Sequence, residues 1–355
     1  MKKSLCIMAA LAALGTAALI SGCAQEKKPA NTEGAKVIEK AISYSVRADF
    51  APVGEIKEGR KNVYALVKTL NNSYWKEVAQ GLEKGAKEAD VNLYLGAALR
   101  EIDWETQRAM LSELNGKKVD AVVLAPTDST NMIPSAKALR DKKIPVVLVD
   151  TTLNSKDFDA AYMTNNAAAG MKACEEMLNL LKASGAKESD NLTVRIMQSS
   201  QTSTTIMDRL DGLNSYWNEK APKAWKLDRM LLIDQGDRAV ARNMAAKALK
   251  TSNIRGIFTL NNRPTVAAAE VIMEQNRKDV VLMGFDYAPG TAKMIKSPDY
   301  KAASIVQNQS TMAIEAVKKA AELAKGAQGS ATVVDTGIQL VNAANAEAYE
   351  AQQKK

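Results

Sequence analysis

Histidine is absent from all 355 residues of the chain, and aromatic residues make up only 5% of it. Without an imidazole there can be no Ser-His-Asp or Cys-His catalytic arrangement and no histidine metal site. Cysteine is scarce as well: Cys6 and Cys23 belong to a leader-like segment, and Cys174 stands alone in a helical pattern. No structural disulfide is therefore expected. Cys174 is interpreted as a small buried apolar residue, with a reactive thiol as the alternative.

Common nucleotide-binding and calcium-binding signatures are also missing. The chain contains no G-x-x-x-x-G-K-[ST], no G-x-G-x-x-G and no D-x-[DN]-x-[DN]-G run. The formal net charge of +8 becomes +6 without Lys2 and Lys3 of the leader (8 − 2 = 6), and the other basic residues are interspersed with glutamates. A nucleic-acid-binding surface would need clustered basic residues. We predict a protein that is not an enzyme, that uses no cofactor or metal and that does not bind nucleic acid.

The first 23 residues have the layout of a bacterial export signal. Residues 1–3 are MKK, and Leu5–Ile20 is an apolar run too short and too rich in small residues for a membrane span. The ISGC that follows at 20–23 resembles a bacterial lipobox, which implies removal of signal peptide 1–22 and lipidation of Cys23. An ordinary signal peptide with a cysteine near its end is the alternative. Several acyl chains on one cysteine would anchor the protein stably, so we expect an extracytoplasmic protein, lipid-anchored in a periplasm or on the outer face of the cell membrane.

Residues 23–60 are predicted to form the lipidated cysteine, a tether and an N-terminal extension. Ala24–Gly34 is polar, with the composition of an unstructured segment. For residues 35–60 two possibilities stay open: packing on the folded body, or lengthening the tether.

From Asn62 onward, apolar β-branched runs alternate with segments of helical period. The runs VDAVVLA at 119–125 and IPVVLVD at 144–150 are almost wholly apolar, as is typical of parallel strands covered on both faces. The alternation restarts after a polar stretch at 151–159 and continues to a last extended run at 332–341. Because the chain exceeds one ordinary domain, this succession predicts an α/β fold with two doubly wound parallel-sheet lobes.

The turn after the first strand of this body carries two amides and two aromatic rings, in the sequence TLNNSYW at 69–75. Ligands of open α/β sheets bind outside the carboxyl ends of the strands. Flat rings can cover the C–H faces of a small polyhydroxylated molecule while amides bond its hydroxyl groups. This turn is therefore the first candidate for a ligand contact.

From about residue 61 to residue 341 the chain resembles the ribose-binding-protein-like, type I periplasmic solute-binding proteins. The resemblance is carried by eight segments in the family's order: TLNNSYW at 69–75, APTDS at 125–129, IPVVLVD at 144–150, NNAAAG at 165–170, DRLDG at 208–212, IFTLNN at 257–262, MGFD at 283–286 and SIVQN at 304–308. It implies a monomer that closes on a sugar or polyol and delivers it to an ABC permease of the inner or cell membrane.

The resemblance also implies how the chain divides. Lobe one would comprise 61–164 and 308–335, and lobe two 166–306 and 337–355. Three crossover strands near 164–166, 306–308 and 335–337 would form the hinge.

Asn72, Tyr74, Trp75 and Arg209 match ligand positions of the family. Asp150 ends an apolar strand, where its carboxylate is either at the cleft or buried at a cost. Further ligand contacts are expected at strand ends or the hinge, from Asn261, Asp286 and Gln307. Alternatives stay open for several of them. Asn72 could cap a helix, Trp75 lies on an apolar helix stripe, and Arg209 could pair on the surface with Asp208 or Asp211. Asn165 or Asn166 could cap at the hinge or contact ligand.

The chain departs from the ribose-binding pattern in two places. Thr151 follows Asp150 where ribose binders have an arginine, and the aromatic residue expected near 235–237 is missing. Arg263 could replace the lost guanidinium, and Glu101 and Asp103 could enter the cleft or begin a helix. We therefore expect a pentose, hexose, polyol or furanosyl ligand and not necessarily ribose.

Two functions fit this reading: import through an ABC transporter, or presentation of the ligand to a chemoreceptor or histidine kinase. A transcription regulator would need an N-terminal helix-turn-helix, but the chain has an export leader there. An enzyme would have to rely on carboxylate pairs alone.

Overall fold

The structure, a computed structural model, describes residues 48–234 and 236–353. The predicted signal peptide, Cys23 and the polar tether lie outside the described residues. Within these two ranges no helix is both long enough and apolar enough to cross a membrane.

The first lobe is built on a seven-stranded sheet with strand order β1-β3-β2-β4-β5-β6-β12. All neighbouring strands are parallel except β1, which runs antiparallel to β3. The strands are β1 (Ala51–Val53), β2 (Asn62–Val67), β3 (Asn92–Ala97), β4 (Ala121–Leu124), β5 (Val146–Val149), β6 (Ala160–Met163) and β12 (Thr332–Asp335). The helices are α1 (Ser73–Ala89), α2 (Trp104–Ser112), α3 (Ile133–Asp141) and α9 (Gln309–Ala324).

Side chains of successive strand residues enter two different cores. In β2, Val63, Ala65 and Val67 pack with α1 and α9 on one face of the sheet. Tyr64 and Leu66 pack with α2 and α3 on the other face. The period of two in a strand gives one core on each side, which explains why the strand sequences are apolar without alternation.

The second lobe has a six-stranded sheet with strand order β13-β11-β10-β9-β7-β8. Its strands are parallel except β13, which is antiparallel to β11. They are β7 (Thr193–Gln198), β8 (Lys226–Ile233), β9 (Ile254–Thr259), β10 (Val281–Phe285), β11 (Ala302–Gln307) and β13 (Ile338–Asn342). Helices α4 (Asn166–Ala183) and α5 (Thr204–Lys220) cover one face. The remaining helices of this lobe are α6 (Arg238–Ala248), α7 (Asn262–Glu274), α8 (Pro289–Ile295) and α10 (Ala346–Gln353).

The chain passes between the two sheets in three places: from β6 to α4, from β11 to α9 and from β12 to β13. The final extended run of the sequence is therefore two strands in different sheets. The fold-class prediction of two doubly wound lobes with a type I periplasmic-binding-protein topology is confirmed.

Part of the N-terminal extension packs on the first lobe. Ala51–Val53 pairs antiparallel with residues 93–95 of β3. The Phe50 ring lies edge-on to Tyr64, with ring centroids 5.2 Å apart. Of the two possibilities left open for residues 35–60, packing on the body therefore applies from Phe50 onward.

Helices α4 and α5 approach each other at two glycines. A Cβ on Gly170 would collide with the carbonyl oxygen of Arg209, and a Cβ on Gly212 would collide with that of Ala167. This close contact sets the position of the α5 backbone that carries Arg209. Cys174, one turn beyond Gly170, is a free and fully buried thiol whose pKa is raised to about 12 by burial.

Candidate functional site

A cavity of about 40 Å³, lined mainly by residues with polar side chains, lies between the lobes at the carboxyl ends of strands from both sheets. Its lining comes from Lys68, Tyr74, Trp75, Glu101, Asp150, Ser199, Ser200, Ser203, Thr205, Ile206, Arg209, Asn261, Asn262, Asp286 and Gln307. Seven of the eight predicted ligand residues are in this set, and Asn72 lies just outside it. Residues of both lobes line this small cavity.

Asp150 follows β5 directly and has φ 70°, in the left-handed region. Its Oδ1 accepts a hydrogen bond of 2.6 Å from the Tyr74 hydroxyl. Its Oδ2 accepts one of 2.6 Å from Thr151 Oγ1 and lies 3.1 Å from Lys68 Nζ. Burial alone would raise the pKa of Asp150, but Lys68 and the two hydroxyl groups hold it below its ordinary value. The carboxylate is therefore buried and ionised.

Tyr74 is buried beside this carboxylate. Burial, and then the negative charge of Asp150, raise the pKa of the Tyr74 phenol well above its ordinary value. The phenol therefore stays protonated and donates to Asp150. Its ring lies edge-on to Trp75, with the two centroids 5.2 Å apart.

Asp286 stands at the matching place in the second lobe, directly after β10, with φ 68°. Gln307 Nε2 donates a 2.8 Å hydrogen bond to its Oδ1, and Thr164 at the hinge donates to Gln307 Oε1 over 3.1 Å. Burial raises the pKa of Asp286 to about 7, although the Arg209 charge and the Gln307 bond act in the opposite direction. Asp150 and Asp286 thus differ in protonation near neutral pH.

Arg209 is 1% exposed and points inward from α5. Its Nε donates to Asn166 Oδ1 over 2.9 Å, and its Nη1 donates to the Leu260 carbonyl over 2.8 Å. The guanidinium carbon lies 4.2 Å from the centre of the Phe285 ring. Nη2 is buried without a hydrogen-bond partner. A buried guanidinium N–H of this kind is a donor available to a ligand oxygen.

Asn72 caps α1: its Oδ1 accepts a 3.1 Å hydrogen bond from the Trp75 backbone N–H. Its Nδ2 donates to Glu101 Oε1 over 2.9 Å, and the indole N–H of Trp75 donates to the same oxygen, also over 2.9 Å. The Trp75 side chain lines the cavity and also belongs to the core that β2 forms with α1 and α9. Glu101 enters the cleft, whereas Asp103 stands at the beginning of α2.

Several cavity residues were missed by sequence reasoning. The missed set comprises Lys68, Ser199, Ser200, Ser203, Thr205, Ile206 and Asn262. Lys68 had a usable signal, because a lysine at the end of an apolar strand must be either at an edge or paired. The serines follow β7 in a polar stretch, SSQTST at 199–204, whose composition is that of an ordinary loop.

At both positions where the chain departs from the ribose-binding pattern, a basic residue from another segment lies nearby. Thr151 has no charge, but Lys68 reaches the same carboxylate and donates to Thr151 Oγ1 over 2.7 Å. At the other position, Gly236 leaves room for the Arg263 guanidinium, whose Nη1 would lie 3.4 Å from a Cβ there. A cation from another segment thus lies near each of the two positions.

Comparison with known proteins gives consistent results. The sequence profile of the family described as "Periplasmic binding protein domain" matches residues 63–328. The D-allose-binding periplasmic protein of Escherichia coli is 24% identical over 273 residues, covering 72% of this chain and 82% of that protein. The ribose import binding protein of Bacillus subtilis is 23% identical over 244 residues, covering 68% and 74% respectively.

Solved structures share the fold. A carbohydrate transporter solute-binding protein from Agrobacterium radiobacter, in complex with D-arabinose, superposes with a TM-score of 0.77 at 24% identity. The match covers 84% of this chain and 99% of that one. A solute-binding protein from Agrobacterium vitis with bound D-fucose gives a TM-score of 0.74 at 23% identity, covering 82% and 98%.

Proposed function

The chain belongs to the periplasmic binding protein domain family, and we propose from this premise that it is an extracytoplasmic receptor for a single small sugar or polyol. In this proposal the ligand is captured between the lobes and delivered to an ABC importer. The relatives named above bind allose, ribose, arabinose or fucose. The proposed ligand belongs to the same chemical class, and its identity within that class is for experiment to decide.

One observation carries the proposal: Asp150 of one lobe and Arg209 and Asp286 of the other line the same small cavity. An ionised carboxylate accepts hydrogen bonds from two hydroxyl groups, and a guanidinium donates to their oxygens. Charge-assisted hydrogen bonds are about twice as strong as neutral ones. Groups of both kinds within one cavity suit a ligand with several adjacent hydroxyl groups.

The aromatic residues supply the complementary apolar contact. Tyr74 and Trp75 are held edge-on by core packing and hydrogen bonds. A ring held in this way can cover the C–H face of a sugar with little loss of side-chain entropy. We assign ligand contact to Tyr74 and Trp75, and we assign Asn72 the role of orienting this turn.

Closure of the lobes on the ligand is the proposed mechanism. A ligand that bonds both lobes has more contacts in the closed form, so it shifts the population toward closure. The three chain crossings are the proposed hinge, with lobe one at 61–164 and 308–335 and lobe two at 166–306 and 337–355. The lipid on Cys23 would hold the receptor on the membrane near the permease.

A thermal-shift screen of the chain from Ala24 against pentoses, hexoses, polyols and nucleosides tests the proposal. Binding stabilises the folded form by RT ln(1 + [L]/Kd), so a micromolar ligand at millimolar concentration adds about 4 kcal/mol. A hit among the sugars or polyols that is lost in Asp150→Asn supports the assignment. A flat screen with folded protein contradicts it.

A further inference from the structure

Glu101 brings a further carboxylate to the cavity, beside Asp150 and Asp286. It lies in the loop between β3 and α2 of lobe one, and its side chain is 10% exposed. A nearly buried carboxylate is costly unless its oxygens are hydrogen-bonded or paired with a cation. The contacts of its two oxygens therefore indicate its role.

The first oxygen, Oε1, is bonded within its own lobe. It accepts from the Asn72 side-chain amide and from the indole N–H of Trp75, each over 2.9 Å. These bonds fix the plane of the indole ring at the wall of the cavity. Both donors are neutral, so these two bonds bring no positive charge to this oxygen.

The second oxygen, Oε2, faces the other lobe. It lies 3.3 Å from Asn261 Nδ2 and 3.6 Å from Arg263 Nη1. Arg263 also reaches across the cleft through Nη2, which is 3.3 Å from Asn71 Oδ1. The side chain of Arg263 is 8% exposed and that of Glu101 is 10% exposed, so the two charges are almost equally enclosed.

Two buried atoms at this contact still lack hydrogen-bond partners: Arg263 Nη1 and Asn261 Oδ1. Buried polar atoms in folded proteins almost always have a partner. Closing the 3.6 Å separation between Arg263 Nη1 and Glu101 Oε2 by a few tenths of an ångström would provide one for the guanidinium. The Asn261 oxygen would then be the acceptor left for a ligand hydroxyl.

We propose that Glu101 is a positioning residue with two roles. Its Oε1 orients the Trp75 ring, and its Oε2 stabilises the closed form through contacts with Arg263 and Asn261, which we call the latch. The ligand part of this inference rests on the proposed function, but the latch itself acts without ligand. In the open form Arg263 moves away with lobe two and water solvates both charges. Closure replaces that water with the ion pair.

The latch is tested without ligand, on the mature chain with its anchor, in detergent. Spin labels attached through Glu113→Cys and Ala239→Cys, both at exposed positions, report the distance between the lobes. We expect Glu101→Gln and Arg263→Gln each to lower the closed-to-open ratio about 10-fold, because removing one partner of an enclosed pair leaves the other unpaired. The double variant should lose little more than either single variant. Glu105→Gln, an exposed neighbour on α2, should match the wild type.

The positioning role is tested with whichever sugar the screen identifies. Glu101→Gln should raise the dissociation rate constant about 10-fold and leave the association rate constant almost unchanged, since the latch acts after encounter. Trp75→Phe keeps a ring but loses the indole N–H, and it should raise the dissociation rate constant by a smaller factor. A merely structural role would lower Tm and leave the rate constants of the folded fraction unchanged.

The outcomes separate the two proposals. If no sugar binds, the proposed function fails, but the distances between the spin labels still show whether the latch stabilises the closed form. If the closed fraction is the same in the wild type and in Glu101→Gln, the latch is refuted even if a sugar binds. An unchanged dissociation rate constant in Glu101→Gln refutes the positioning role.

Discussion

Replacing Lys68 with methionine takes away the cation that lies 3.1 Å from the Asp150 carboxylate. The two side chains are only 9% and 5% exposed, so solvent and salt screen the pair little. Methionine has similar length and fills the same space without charge. The substitution therefore removes the charge from this pair with little change in packing.

The expected cost follows from the burial of the pair. Removing one partner of a buried ion pair typically destabilises a protein by about 3–5 kcal/mol. The hydroxyl groups of Tyr74 and Thr151 still donate to Asp150 in the variant, which favours the lower end, about 3 kcal/mol. At about 2–4 °C per kcal/mol for a unit of this size, Tm should fall by about 6–12 °C.

Thermal unfolding at pH 7 measures this loss, with Lys76→Met on the exposed side of α1 as the matched control. The sign of the pH dependence is fixed by the lowered pKa of folded Asp150. Its ionised form stabilises the protein above the unfolded pKa of about 3.9, and this contribution is lost as the pH falls below that value. The difference between wild type and Lys68→Met should therefore shrink below about pH 4. If Lys68→Met and the control Lys76→Met had equal Tm values at pH 7, the reasoning would be refuted.

Three further predictions concern other parts of the molecule. Folded Asp286 keeps its proton up to about pH 7, so unfolding releases a proton between about pH 4 and 7 and the free energy of unfolding falls as pH rises through that window. Asp286→Asn should flatten this slope in denaturant titrations, and an unchanged slope would contradict the assignment. Gly170→Ala should destabilise the second lobe by about 1–3 kcal/mol or more, because the added Cβ overpacks against α5. The comparison variant is Gly185→Ala, where a Cβ would meet nothing within 4 Å, so that this variant measures the cost of a positive φ alone. Cys23→Ala should move the protein from the membrane to the soluble fraction, and unchanged partitioning would argue against lipidation.

The fold was predictable because its signals are local and redundant. Runs such as VVLV at 146–149 are buried on both faces, so their sequence is apolar throughout, and the helices between them have their own period. Family membership and the prediction that the chain is not an enzyme are also confirmed, since the relatives are binding proteins of transport systems. The N-terminal strand was not predictable, because three residues carry too little pattern to identify a strand.

The site was predictable where a polar side chain ends an apolar strand, as Asp150 and Asp286 do. It was not predictable where the contact depends on two segments far apart in sequence. Lys68 meets a carboxylate 82 positions away (150 − 68 = 82). Glu101 meets Asn261 across the cleft. No local period encodes such pairs: Lys68 and Asp150 meet only when β2 and β5 have joined one sheet, and Glu101 and Asn261 meet only when the two lobes have come together.

The backbone at Asp150 and Asp286 suggests why these two residues are aspartates. Each is the first residue after a buried strand, and each has a positive φ, 70° and 68°. Left-handed backbone costs most residues about 1–2 kcal/mol, but Asp and Asn tolerate it better. At each of these turns the strand ends beside the cavity, where a carboxylate can contact the ligand. Most other residues would be strained there by the positive φ. Asparagine shares this tolerance and nearly the same shape, so a loss of ligand affinity in Asp150→Asn reports the missing charge and not a rebuilt turn. In Asp286→Asn, measured below pH 7 where the carboxyl holds its proton, a loss of affinity reports the missing O–H donor.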